Sequence, residues 1–215
     1  MFQLWIQYLP QMWKGVWMTL ELTVAALILA LVLGFVLAFA RLSRFRVLNL
    51  VATWYTEIVR AVPVLVILFI VYYSLGNILK LSGILSAVIS LGAFYATQYG
   101  EIFRGAILGV DRGQTEAAFA LGMTNRTIMR KVILPQAFFS ILPPSTNQLS
   151  NLIKDTSLVF TIGVADLMFQ AYQAASATFL PLDMLLLAGV IYFVFYLILS
   201  KFLARWELNV QRSRS

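Results

Sequence analysis

Gly113-Gln114-Thr115-Glu116-Ala117-Ala118-Phe119-Ala120-Leu121-Gly122-Met123, continued by Val132-Ile133-Leu134-Pro135-Gln136-Ala137, is the stretch on which the architecture turns. Strongly apolar segments lie on both sides, yet Arg126, Arg130 and Lys131 fall within it. Charges of that kind are costly in lipid, so this part of the chain must lie in water or at headgroups. Gln114 to Leu121 are mostly good helix formers, with Glu116 near the positive end of the helix dipole. Gly122 can take the left-handed conformation that ends a helix. Thr124 or Asn125 can cap the next one by accepting from free backbone N–H groups. Pro135 lacks an N–H and should bend or stop the chain. The spacing therefore predicts a short, stiff, polar hairpin over about residues 110–138, hung between two membrane spans.

Composition agrees with the flanks. Of 215 residues, 61% are hydrophobic and 12% charged, whereas a soluble domain is about a quarter charged. A helix crosses the hydrocarbon core with about 20 apolar residues, and several runs qualify. The expectation is an all-α integral membrane protein forming one domain over residues 1–215. The net charge of +7 does not point to nucleic acid, because the basic residues cluster between apolar runs as topology signals do. There is no cysteine and no histidine, which removes thiolate metal sites and the commonest general base and metal ligand. No metal site is expected.

Five spans are predicted, over about 16–41, 51–75, 84–107, 141–165 and 184–203. The apolar run from Leu22 to Ala40 exceeds the core of a signal peptide and reads as a retained helix. Ala26, Ala30, Gly34 and Ala38 recur along one face of it, a spacing that lets another helix approach closely. Tyr72, Tyr73, Tyr192, Tyr196 and Trp206 sit near span ends, where amphipathic rings suit headgroups. Arg41, Arg44 and Arg46 lie in the first loop, Arg112 joins the basic residues of the hairpin loop, and Arg205, Arg212 and Arg214 lie in the tail. The second loop has Lys80 alone and the fourth no basic residue. That bias places the N-terminus outside and the C-terminus in the cytoplasm.

Ionisable residues within spans need partners or a cavity. Glu57 and Arg60 are three apart on one helical face, and Glu101 and Arg104 repeat the spacing; both pairs read as braces. Pro63 should kink the second span, and exposed backbone there needs cover from protein or a water-filled cavity. The polar patch from Gln148 through Asn151 to Ser157 would face the same region. Backbone N–H groups beside Pro63 could meet a solute carboxylate, and Gln148 and Asp155 could accept from its ammonium. Alternatively Asp155 is paired with Lys154 or with a neighbouring helix.

Further motifs carry a resemblance. Gly34 to Arg44 (GFVLAFARLSR), Tyr55 to Phe69 (YTEIVRAVPVLVILF), Glu101 to Gln114 (EIFRGAILGVDRGQ) and Lys154 to Gly163 (KDTSLVFTIG) follow in order. With the hairpin, which resembles the EAA loop of ABC importer membrane subunits, they make the chain similar to the polar amino-acid permease family (histidine, glutamine, arginine and cystine type) over nearly its full length. Two segments depart from the family pattern. Arg60-Ala61-Val62-Pro63 replaces Arg-Gly-Thr-Pro, and Thr97-Gln98-Tyr99-Gly100 displaces a tyrosine by one position. Both can line the passage, Gln98 included. The resemblance implies the type I ABC importer fold in a bacterial inner membrane, with Glu116, Ala117, Ala118, Gly122 and Pro135 contacting a separate ATPase. It also implies two ATPase subunits carrying ATP and Mg, a second permease subunit (the same or a homologue) and an extracytoplasmic solute-binding protein. No phosphate-binding loop G-x-x-x-x-G-K-[ST] is present, so ATP hydrolysis belongs to the partners and this chain is not itself an enzyme. The rival readings are a permease for another small polar solute, or a stand-alone channel or secondary transporter whose basic loop anchors on headgroups.

Overall fold

The computed structural model describes residues 2–212, and no strand occurs among them. Arg214 lies outside the described residues, as do the side chains of Trp206 and Arg212. The chain is a bundle around two long helices, α1 (Phe2–Arg41) and α5 (Gly83–Leu108). At 1.5 Å per residue α1 is about 60 Å long, roughly twice the hydrocarbon thickness. Its small-residue face is what joins the pair. Ala26, Ala30 and Ala38 are fully buried. A Cβ on Gly34 would stand 3.0 Å from the Ala96 carbonyl oxygen and 3.1 Å from the Gly100 nitrogen. The backbones touch there, and only glycine permits it.

Between them the chain forms α2 (Arg46–Ala61), α3 (Val64–Phe69) and, after a π-helical stretch over Ile70–Leu75, α4 (Gly76–Leu79). The expected second span is not one kinked helix. The axis turns by 106° between Arg46–Ala61 and Val64–Leu79. Proline disfavours the helical conformation in the residue before it, and Val62 is extended (φ −97°, ψ 133°). Helix α2 therefore ends at Ala61, and Pro63 starts a new helix instead of bending the old one.

After α5 come α6 (Arg112–Ala120), α7 (Asn125–Ile128), a π-helical turn over Met129–Ile133, and α8 (Leu134–Asp155). A 3-10 stretch over Thr156–Ile162 ends at left-handed Gly163, and α9 (Leu167–Thr178) and α10 (Pro181–Arg212) complete the fold. Pro135 neither stops nor sharply bends the chain. It sits in the first turn of α8, where a missing N–H costs little, and the π turn just before it takes up the misfit. The expected loop over 110–138 and the expected span from 141 thus run together as helix.

Three apolar cores hold the bundle. One joins α1, α3, α5 and α8 around Leu22, Leu68, Leu91, Tyr95, Tyr99 and Leu152. A second joins the N-terminal half of α1 to α9 and α10 through Met12, Val16, Leu167 and Met184. The third, around Ala106, Ile107 and Ala137 with Phe39, Met129 and Ile133, seats the hairpin on the ends of α1 and α5. Tyr192 turns inward, its hydroxyl donating to buried Asp166 at 3.4 Å, while Tyr73 and Tyr196 remain exposed. Among the described residues two helices, Gln3–Arg41 and Pro181–Phe202, are long and apolar enough to cross a membrane, and a third qualifies if the bent pair counts as one. Helices α5 and α8 fall outside that group because they carry the polar interior.

Candidate functional site

The hairpin is built from local rules. The Asp111 carboxylate accepts from the Gly113 N–H at 2.7 Å and caps α6. The helix ends in paired bonds, Gly122 N–H to Phe119 O at 2.9 Å and Met123 N–H to Ala118 O at 3.1 Å, with Gly122 at φ +75°. That is a Schellman motif, which satisfies the free carbonyls of the last turn. Thr124, one of the two caps anticipated, accepts from the Thr127 N–H at 3.4 Å. Across the hairpin the Gln136 amide donates to Gln114 Oε1 at 3.3 Å and to the Val132 carbonyl at 3.0 Å. Ala118 is buried beneath the hairpin, whereas Glu116, Ala117, Gly122 and Pro135 are exposed. Phe119 and Leu121 are exposed beside them, Leu121 by 81%.

The second feature is a cavity of about 390 Å³ between α5 and α8. Gln98, Gln148, Asn151 and Asp155 line it, together with Phe94, Tyr95 and Lys154. Four of the five expected pathway residues meet there, although they come from segments some fifty residues apart in the chain. The fifth, Pro63, does not. The turn at Val62 sends the chain into α3, which packs on α5 through Leu68 and Phe69 and leaves the cavity to α5 and α8. Of the two partners weighed for Asp155, the structure shows the neighbouring helix, α5, and not Lys154. The Tyr95 hydroxyl donates to Asp155 Oδ2 at 2.7 Å, and Lys154 is exposed with no ion pair among the described residues. Tyr95 was not anticipated, because a tyrosine in an apolar run carries no signal of where its hydroxyl points.

Below the cavity the ionic braces differ from the expected pairs. Glu101 and Arg104 do pair, at 2.9 Å. Glu57 instead meets Arg41 at 3.7 Å, and Arg41 also binds Glu101. Arg60 makes no ion pair among the described residues and lies in the last turn of α2, where a cation suits the helix dipole. The arrangement follows from α2 folding back beside the end of α1, which brings Arg41 to both carboxylates. Helix spacing alone sees i and i+3 and misses such a third helix. No group of three or more acidic, histidine or cysteine side chains suited to a metal occurs among the described residues.

Comparison with known proteins places these features. Residues 30–207 match the model of the family described as binding-protein-dependent transport system inner membrane component. The chain is 40% identical over 162 residues to the arginine transport system permease protein ArtQ of Bacillus subtilis, covering 74% of each. It is 35% identical over 176 residues to the glutamine transport system permease protein GlnP of Escherichia coli, covering 80% of each. Among solved structures, a crystal structure of an amino acid ABC transporter with histidines matches at TM-score 0.89 and 34% identity, over 95% of this chain and 96% of that one. An inward-facing MetNI methionine ABC transporter matches at TM-score 0.70 and 22% identity, over 92% of this chain and 96% of that one, which is a likeness of fold. The chain belongs to the binding-protein-dependent transport system inner membrane components, the permease subunits of ABC importers.

Proposed function

We propose that this subunit carries a polar amino acid across a bacterial inner membrane through the cavity between α5 and α8. One observation carries the reading: the helices that line the polar cavity, α5 and α8, are the same two that flank the hairpin. A partner that moves the hairpin therefore moves the cavity walls, because the apolar seat around Ala106 and Ala137 makes them one body. Asp155 and the amides of Gln98, Gln148 and Asn151 offer acceptors to an ammonium group and donors to a carboxylate, as a zwitterion requires. The relatives named for arginine and glutamine transport fit that chemistry.

In this reading the chain crosses the membrane five times, with its N-terminus outside and its C-terminus in the cytoplasm. The hairpin then faces the cytoplasm, with Glu116, Ala117, Gly122, Pro135 and exposed Leu121 seated in a groove of an ATPase subunit; Ala118, expected at that contact too, is buried and instead supports the hairpin from beneath. Two such ATPases bind ATP and Mg, and this chain binds neither. A second permease subunit, identical or homologous, completes the transporter, and an extracytoplasmic binding protein delivers the solute. ATP-driven closure of the ATPases turns the bundle halves and opens the cavity outward; hydrolysis returns it inward, an exchange between two states of differing stability.

The test is co-purification of the chain with a Walker-motif ATPase, followed by reconstitution in liposomes with the binding protein. Vanadate-sensitive, ATP-dependent uptake of radiolabelled arginine, glutamine or histidine is the expected result. Uptake driven by an ion gradient without an ATPase would establish the secondary-transporter reading instead.

A further inference from the structure

A second cavity, of about 430 Å³, lies on the same face of α5 as the first. On α5 and its C-cap the first cavity is lined by Tyr95 and Gln98 and the second by Glu101, Gly105 and the cap residue Gly109. These positions advance by three or four residues, so they form one stripe along one side of the helix. Helix α8 answers with Ser140 and Pro144 in the second cavity and Gln148 and Asn151 in the first, again at spacings of three or four. The two cavities are thus successive parts of one groove, about 10 Å apart along α5 from Gln98 to Gly105. The groove runs from the Asp155 cavity toward the hairpin. On its far side Tyr99 donates to the Ser145 carbonyl at 3.3 Å and closes the seam.

Of the two glycines in the second cavity, Gly109 would set a Cβ 3.2 Å from the Gly105 carbonyl oxygen, but Gly105 has no packing reason to be there. A Cβ at Gly34 or Gly100 would press on the facing helix at 3.0–3.3 Å, but one at Gly105 would meet nothing within 4 Å. Glycine inside a helix is less favourable than alanine. What its presence achieves here is open space. At the junction of the cavities stands Glu101, partly buried, with Arg104 and Arg41 holding its carboxylate in place. Oε1 accepts from Arg41 and Arg104 and Oε2 from Arg104, so what Glu101 keeps for a solute ammonium, one step inward of Asp155, is one acceptor position on Oε2.

Resting on the amino-acid permease reading above, we propose that the α5–α8 groove from Glu101 to Gly109 is the inward exit route of the solute. Glu101 is its second station, and the bare helix face at Gly105 is the passage floor. The route serves solutes that carry an ammonium group.

The assembled transporter, in liposomes with its ATPase and binding protein, tests this with radiolabelled arginine, glutamine and histidine as probes. Gly105→Phe starts from a Cβ that meets nothing within 4 Å and adds an aromatic ring to the passage. Gly189→Phe is the matched control, since Gly189 also has nothing within 4 Å but lies on α10 away from the groove. Gly105→Phe is expected to lower uptake at least about tenfold and Gly105→Ala less than about twofold, with Gly189→Phe at wild-type rate. ATP hydrolysis stimulated by the binding protein persists in Gly105→Phe, which shows an assembled complex with a blocked path. Wild-type uptake by Gly105→Phe overturns the exit route and leaves the permease reading standing. So does an equal loss in Gly189→Phe, or a loss of uptake matched by loss of hydrolysis. A wild-type complex that takes up none of the three probes on ATP overturns the permease reading and the exit route with it.

Discussion

The hairpin and the polar cavity are made in opposite ways. Every bond that shapes the turn of the hairpin spans at most five residues: Asp111 to Gly113, Phe119 to Gly122, Ala118 to Met123, Thr124 to Thr127. The decisive bond of the cavity, Tyr95 to Asp155, spans 60. The lever is therefore a property of a short peptide, and the cavity is a property of how α5 packs on α8. A substitution in the first acts through backbone conformation; a substitution in the second acts through a side chain that two helices have brought together.

The largest expected effect separates those modes. Gly122 has open space around its absent side chain but sits at φ +75°. Within this chain a Cβ there meets nothing, whereas a left-handed backbone penalises L-residues by about 1–2 kcal/mol, and β-branched ones most. Gly122→Val should lower ATP-driven uptake about tenfold or more and release ATP hydrolysis from dependence on the binding protein. Gly122→Asn, which tolerates that conformation, should keep most of the activity. If Asn fails as badly as Val in paired uptake and hydrolysis assays, the glycine is needed for close approach of a partner and not for its backbone angle.

In the cavity, Asp155→Asn keeps an oxygen that can accept from the Tyr95 hydroxyl, so assembly should survive. The charge is lost, and hydrogen bonds to charged groups contribute about 1.5–3 kcal/mol. Uptake at low solute concentration should fall about tenfold, with the size-exclusion profile of the complex unchanged. Wild-type uptake kinetics would take Asp155 off the solute path.

The same contrast decides what could be read from the residues alone. Gly122 and Thr124 were legible, because turn chemistry is written in consecutive positions; the Asp111 cap was not read. The face Ala26–Ala30–Gly34–Ala38 pointed correctly to close packing, since periodicity reports which side of a helix meets a partner. Periodicity does not report which partner. Glu57 was therefore paired with Arg60 on its own helix when Arg41, from α1, was the ion within reach. Pro63 was placed with the polar patch because a kinked helix stays in line, whereas the extended Val62 turns the chain through 106°. Gln98, Gln148, Asn151 and Asp155 stood out as polar residues in apolar runs, but only packing could bring them to one cavity.

Tyr95→Phe sharpens the cavity side. It deletes one hydroxyl, leaves the ring in the core with Leu91 and Leu152, and frees the Asp155 carboxylate to turn. The net value of one such bond is about 0.5–1.5 kcal/mol, so a change of a few-fold is expected, smaller than for Asp155→Asn. A change in apparent KM for solute with maximal rate intact is the signature of a lost positioning bond. A larger effect than that of Asp155→Asn would mean that the hydroxyl meets solute directly.

The smallest effect should come from the one long-range tie in the hairpin. Gln136 donates to Gln114 across the loop at 3.3 Å and to Val132 in the π turn at 3.0 Å. Gln114→Ala removes only the first bond, which is exposed and neutral and contributes on the order of 0.5 kcal/mol; uptake should fall about twofold or less. Gln136→Ala removes both and leaves the Val132 carbonyl without its side-chain donor, so its effect should be the greater. In the double variant the loss should equal that of Gln136→Ala alone, because the first substitution has nothing left to break. Strictly additive losses in an uptake series would show that the two glutamines act separately. The stiffness of the lever would then reside wholly in its short-range turns and its apolar seat.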